Sequence, residues 1–190
     1  VILVMRMCAE IVDVNGAFLT GSLDGRPIYM EVPQGFERFL DSNTQVIVLL
    51  KAIYGLVQAA YLYWKKATQH LVRRMKLQRN KADNCIYHKW TNDGLVLWTT
   101  WVDDMIVAAP NNQEIDSEKR KLAEEFDTDE IGPMKEYIGC KIEHDREQGQ
   151  MKFTQPVLIQ SFEDEFDIPS DIRDRTPAPP GQVLSPTPDE

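Results

Sequence analysis

Two adjacent carboxylates, Asp103 and Asp104, interrupt the largely apolar stretch from Leu95 to Ala109. Like charges side by side gain nothing from burial, so the chain has to turn there and carry them to an edge. The flanks are rich in β-branched and aromatic residues. They predict a strand over 95–102, a tight turn, and a second strand over 105–109. Just upstream, Thr91-Asn92-Asp93-Gly94 supplies the Asp-Gly signal of another hairpin, after a strand over 84–90. Three strands joined by two tight turns are antiparallel neighbours.

The rest of the chain fits around that sheet. Strands are predicted at 10–14, at 28–32 and, as a buried β-branched run, at 46–51. After Gly55 a helix carries Ala60, Trp64, Ala67, Leu71 and Met75 at steps of three and four, with Lys65, Lys66, Gln69, Arg73 and Arg74 largely on its other face. A second helix follows the Asn111/Asn112 cap and buries Ile115, Leu122, Ala123 and Phe126. A hairpin over 137–143 and 151–154 and a short helix over 157–166 complete an α+β fold, an antiparallel sheet with helices packed on one face. The folded domain is expected over 1–170. Residues 171–190 read as a Pro-rich linker or tail, because prolines crowd residues 176–188.

Composition narrows the function classes. Hydrophobic residues make up 43% of the 190, which excludes wholesale disorder. No apolar run exceeds six residues, against the roughly 20 that a membrane span needs, so no membrane partner is expected. Three widely spaced cysteines without a CxxC argue against a disulfide framework or structural zinc, and for an intracellular setting. The formal net charge of −9 speaks against a polyanion ligand, but it hides a segregation. Between Lys51 and Trp90 nine basic residues face one acid, whereas from Glu143 to Glu190 eleven acids face four bases. A basic groove on an acidic body is compatible with that pattern, as is a merely solvated helix face.

Asp13 is a lone acid at the end of an apolar strand. Unpaired burial would cost several kcal/mol unless a donor or a metal met it. If its strand lies beside the Asp103 hairpin, the carboxylates converge. Hard divalent ions such as Mg²⁺ take carboxylate oxygens, and two ions about 3.5–4 Å apart suit in-line phosphoryl chemistry. The other reading of Asp103-Asp104 is an ordinary polar turn. A calcium module is disfavoured, since no Asp-x-Asp-x-Asp-Gly loop is present.

Seven motifs, in order, give the chain a specific resemblance. Asp13-Val14-Asn15-Gly16-Ala17-Phe18-Leu19-Thr20-Gly21 resembles the first aspartate motif of copia-type retrotransposon reverse transcriptases. Ile28–Phe36 resembles that family's IYMEVPQGF, Ile53–Ala60 its YGLKQA segment, and Asp83–Tyr87 its DPCLY. Trp101-Val102-Asp103-Asp104-Met105 stands where the family has YVDD. Glu136–Ile142 and Thr154-Gln155-Pro156 match its later YLG and TQ motifs, so the resemblance spans roughly residues 6–169.

The resemblance implies a polymerase palm with partial fingers and a partial thumb, and an RNA-directed DNA polymerase of a Pol polyprotein. In it Asp13, Asp103 and Asp104 would form the catalytic triad. Asp13 and Asp103 would be the main ligands of two Mg²⁺, Asp104 a lesser one, and the Val14 carbonyl an additional one. Phe18 would be the gate that excludes a ribose 2′-hydroxyl. Gln58 would touch the incoming deoxynucleoside triphosphate, its alternative role being a helix cap. Lys65, Arg73 and Arg74 would run along phosphates of an RNA/DNA template-primer. Gly139, by the primer-gripping hairpin, would permit close backbone approach. The implied partners include the rest of the polyprotein, with its RNase H and integrase, and the implied setting is a cytoplasmic particle whose product goes to the nucleus. The chain departs from the family at Val57, where Lys is usual, at Ala60-Tyr61 in place of Pro-Arg, and at Trp101 in place of Tyr. A piece of a polyprotein is expected, and the competing expectation is a degenerate or domesticated fragment that binds nucleic acid or partners without polymerising.

Overall fold

A computed structural model describes residues 1–167, apart from residues 24, 26 and 42. The tail expected over 171–190, and the domain end expected at 170, lie outside the described residues.

The sheet around the acidic pair has six antiparallel strands. In chain order they are β1 (Cys8–Val14), β4 (Gln78–Arg79), β5 (Ile86–Trp90), β6 (Leu95–Trp101), β7 (Asp104–Ala109) and β8 (Thr128–Pro133). Their spatial order is β4-β5-β6-β7-β1-β8. The earliest strand is thus slotted between two later ones. β7 is central, and Met105–Ala109 are all buried because both of its faces are covered.

One face carries the helices. α1 (Ala59–Gln69) continues without a break into one π-wound turn, His70–Arg74. α2 (Asn112–Ala123) starts at Asn111, whose side chain accepts the Glu114 N–H at 2.8 Å. The core on this side joins Val12, Val14, Met105 and Val107 of the sheet to Tyr63, Ala67, Leu71, Ile115 and Leu122 of the helices. The residues between those strand positions, Ile11 and Ile106, form a smaller cluster on the opposite face with Met134 and Ile142. That face is covered by the hairpin sheet of β9 (Glu136–Tyr137), β10 (Cys140–Asp145) and β11 (Gln150–Thr154), in the order β11-β10-β9. α3 (Pro156–Glu165) follows.

Lys119 fixes the strand that carries Asp13. Its ammonium reaches Glu10 of β1 at 2.8 Å and Glu130 of β8 at 2.9 Å, tying α2 to both strands. Burial alone would lower the Lys119 pKa, but the two carboxylates outweigh it and hold the group above its ordinary value.

Several expectations need correction. Residues 46–51 are not a buried strand. Among the described residues β3, Val46–Val48, pairs only with β2 (Tyr29–Glu31), and Val46 and Val48 are exposed because no described layer packs on this two-stranded sheet. The buried stripe of α1 runs one position earlier than expected at its start, through Ala59 and Tyr63, leaving Ala60 exposed. Ala123 is exposed as well; the second helix buries Glu118 and Lys119 instead, with Glu118 held by Lys89 at 2.8 Å and by Lys121. Periodicity reads polarity, and neither a polar residue paired in the interior nor a tyrosine turned inward registers in it. Among the described residues no helix is long and apolar enough to cross a membrane.

Candidate active site

β6 and β7 meet at Trp101↔Asp104, so the turn between them consists of Val102 and Asp103. Val102 has φ +55°, the left-handed region that a β-branched side chain resists. The turn therefore stores strain while it fixes where Asp103 stands. The Val14 N–H donates to the Asp103 carbonyl at 3.1 Å, which locks the turn against the end of β1.

Register does the rest. Asp13 of β1 is the direct partner of Asp104 in β7 and of Asp129 in β8. Directly opposed residues share a face, so Trp101, Asp104, Asp13 and Asp129 form one row across four strands at the sheet's end. The row continues the line of Ile11 and Ile106 and faces away from the helices. Asp129 was not expected: it lies in a polar edge strand, where no apolar alternation marks β structure. A bulge at Ile11/Val12 shifts the β1–β8 register by one and brings Asp129 level with Asp13.

The electrostatics follow from the crowding. Burial raises the Asp13 carboxyl above its ordinary value, and the charges of Asp103, Asp104 and Asp129 raise it further. Burial and then Asp103 do the same to Asp104. Among the described residues no lysine or arginine makes an ion pair with any of the four acids. Nor do any three His, Cys, Asp or Glu side chains there stand close enough to enclose a metal ion as they are. The carboxylates are gathered by the backbone but not closed on one point. A hard cation suits such a set, because oxygen donors without a counter-charge are what it binds and what it would relieve.

Phe18 lies in a single 3-10 turn, Ala17–Leu19, entered through Gly16 at φ +58°. The turn follows β1 closely, and Phe18 comes five residues after Asp13. It is partly buried. Tyr54 packs against it with ring centroids 5.2 Å apart, and Tyr63 at 6.5 Å edge-on. Both tyrosines escaped the sequence reading as supports for Phe18. The Tyr63 hydroxyl is buried and has no hydrogen-bond partner among the described residues; burial first, then the charges of Asp103 and Asp13, push its pKa up. Gln58 occupies the N-cap of α1 but its side chain makes no capping bond, so the helix-cap alternative is not what the structure contains.

At Gly139 a Cβ would meet no described protein atom within 4 Å. Ile138 and Gly139 both have positive φ, +49° and +70°, the twist a two-residue hairpin turn between β9 and β10 demands. Tyr137 stands near enough to Asp104 for that charge to add to the effect of burial on its hydroxyl. Lys65, Arg73 and Arg74 come together, but in a groove of about 600 Å³ on the outside of α1, across the sheet from the acid row.

The family described as reverse transcriptase (RNA-dependent DNA polymerase) matches residues 4–178. The chain belongs to the reverse transcriptase family. Two curated relatives resemble it. One is the retrovirus-related Pol polyprotein from transposon TNT 1-94 of Nicotiana tabacum, 30% identical over 160 residues, which cover 84% of this chain and 12% of the relative. The other is the putative transposon Ty5-1 protein of Saccharomyces cerevisiae, 29% identical over 156 residues, 82% of this chain and 49% of the relative. This reverse transcriptase chain thus spans an eighth to a half of the length of these relatives. No solved structure matches it.

Proposed function

We propose that this chain is the palm-bearing part of an RNA-directed DNA polymerase of a copia-type Pol polyprotein, acting on an RNA/DNA template-primer and deoxynucleoside triphosphates. The observation that carries the reading is the register that sets Asp13 opposite Asp104, with Asp103 at the adjoining strained turn and, among the described residues, no ion pair to any of them. In this reading Asp13 and Asp103, with the Val14 carbonyl, would hold two Mg²⁺, and Asp104 would support them. Two such ions supply activation of the primer 3′-hydroxyl and charge neutralisation at the leaving pyrophosphate. The chain's own residues orient the reactants. Phe18, braced by Tyr54 and Tyr63, would exclude a ribose 2′-hydroxyl. Gln58, whose side chain makes no capping bond, would touch the incoming sugar or triphosphate.

One observation favours a second reading, a non-catalytic fragment: the acids do not enclose an ion as they stand, and Val57, where the family's lysine is usual, is almost fully exposed and without charge. Primer extension on an RNA template decides between them. Mg²⁺-dependent extension by the wild type, reduced at least a hundredfold by Asp103→Asn, is expected; a wild-type chain with no extension leaves only the fragment reading.

A further inference from the structure

A cavity of about 150 Å³ lies between α1 and the sheet. Four aromatic rings line it, those of Phe18, Tyr63, Trp64 and Tyr87, with Val102 and Met105. Ala60 and Ala67 line it from the helix, and their short side chains leave the room that bulkier residues would fill. Tyr63, Ala67, Tyr87 and Met105 belong to the core on the helix side, whereas the acid row faces away from the helices. Ala60 and Cys85 are exposed and mark the mouth. No charged side chain is among the lining residues.

The hydroxyls around this cavity differ in one respect. That of Tyr87 shares a hydrogen bond with Thr68 at 2.8 Å, and that of Thr100 donates to the Cys85 carbonyl at 3.4 Å. Tyr63 is only 3% exposed, and its hydroxyl has no partner among the described residues. Burial and the nearby acids keep the proton on that oxygen, so it remains a donor. A buried donor left unmade costs about 1–3 kcal/mol, which a ligand oxygen would relieve. An apolar cavity of roughly this volume holds one benzene-sized ring, and rings and a thioether are the walls such a ring packs against. The same acids and the uncharged lining disfavour an anion.

We propose that this cavity binds a neutral one-ring aromatic molecule carrying a hydroxyl, of which phenol is the simplest, its oxygen accepting from the Tyr63 hydroxyl. The occupant lies on the helix side of the sheet and touches Val102, the residue next to Asp103 in the strained turn. It needs no divalent ion.

The test titrates the full chain in EDTA with phenol, benzene or benzoate by calorimetry. Saturable one-to-one binding of phenol is expected, with benzoate, the same ring with a charge, not binding. Tyr63→Phe should weaken phenol about fivefold, the scale of one hydrogen bond, and leave benzene no weaker. Ala67→Leu, which fills the cavity, should weaken phenol and benzene at least tenfold. Ala60→Phe, which closes the exposed mouth without entering the core, should do the same and guards against misfolding of the first variant. In a parallel titration with Mg²⁺, a deoxynucleoside triphosphate should not displace phenol. No saturable binding by the wild type, phenol affinity unaltered in Tyr63→Phe, binding unchanged in both alanine variants, or equal binding of benzoate each overturns the proposal. So does displacement by the triphosphate, which would make the cavity part of the nucleotide site. Because neither metal nor template takes part in the phenol titration, failure here is separate from failure of the polymerase reading.

Discussion

An ionised Asp13 costs the folded protein stability. Its carboxyl is raised above the ordinary value by burial and by three neighbouring acids, so the folded state holds this proton more tightly than the unfolded chain. The stabilisation is complete below the ordinary carboxylate pKa and is lost as pH rises through the raised one; Asp104 behaves alike. At neutral pH without divalent ions, Asp13→Asn is therefore expected to melt higher than wild type, and thermal melts at acid pH should show the advantage vanish. Added Mg²⁺ should raise the wild-type melting temperature and leave that of the variant little changed. Phe18 makes a different prediction. On the proposed gate role, Phe18→Ala should raise the ratio of ribonucleotide to deoxynucleotide incorporation in primer extension; an unchanged ratio would make the ring ordinary core packing. Because Tyr54 and Tyr63 hold that ring, the variant's melting temperature should be read beside the ratio.

The loop after β1 has to pass close to α1, and Gly21 is where it does. A Cβ at Gly21 would lie 2.7 Å from the Leu62 Cβ, an atom that no rotamer change can move away. Gly21→Ala should cost about 1–3 kcal/mol in denaturant unfolding, the ordinary scale of overpacking. Much of this level was legible beforehand. The hairpin at Asp103 and Asp104, its neighbour at Asp93-Gly94, and the cap at Asn111 are written in turn and cap chemistry, which is local. The exposed β3, the one-position phase of α1, and the strands β4, β8 and β9 were not. Val46–Val48 looks buried because β-branched residues suit strands whether or not a layer covers them. The edge strand β8 carries Asp129 and Glu130 on a polar sequence, and only its neighbour β1 makes it a strand. So the convergence of Asp13 with the Asp103-Asp104 turn was readable, whereas the fourth acid, which depends on a bulge and a register, was not.

At the scale of the whole molecule, the acid row exists only because distant segments meet. Asp13 has Asp104 on one side and Asp129 on the other, and Lys119 clamps the same strands from the helix face. Ending the chain before residue 128 should therefore do more than remove an edge. It strips β1 of one neighbour and Lys119 of one carboxylate, and circular dichroism should report a broader melt at lower temperature than for the full chain. The sheet order carries one more consequence, for synthesis. The strand bearing Asp13 is made some ninety residues before the first of its two neighbours and longer still before the second. Over that interval its apolar residues, Ile11, Val12 and Val14 among them, have no sheet to join, and the nascent polypeptide carries an unpaired, aggregation-prone edge.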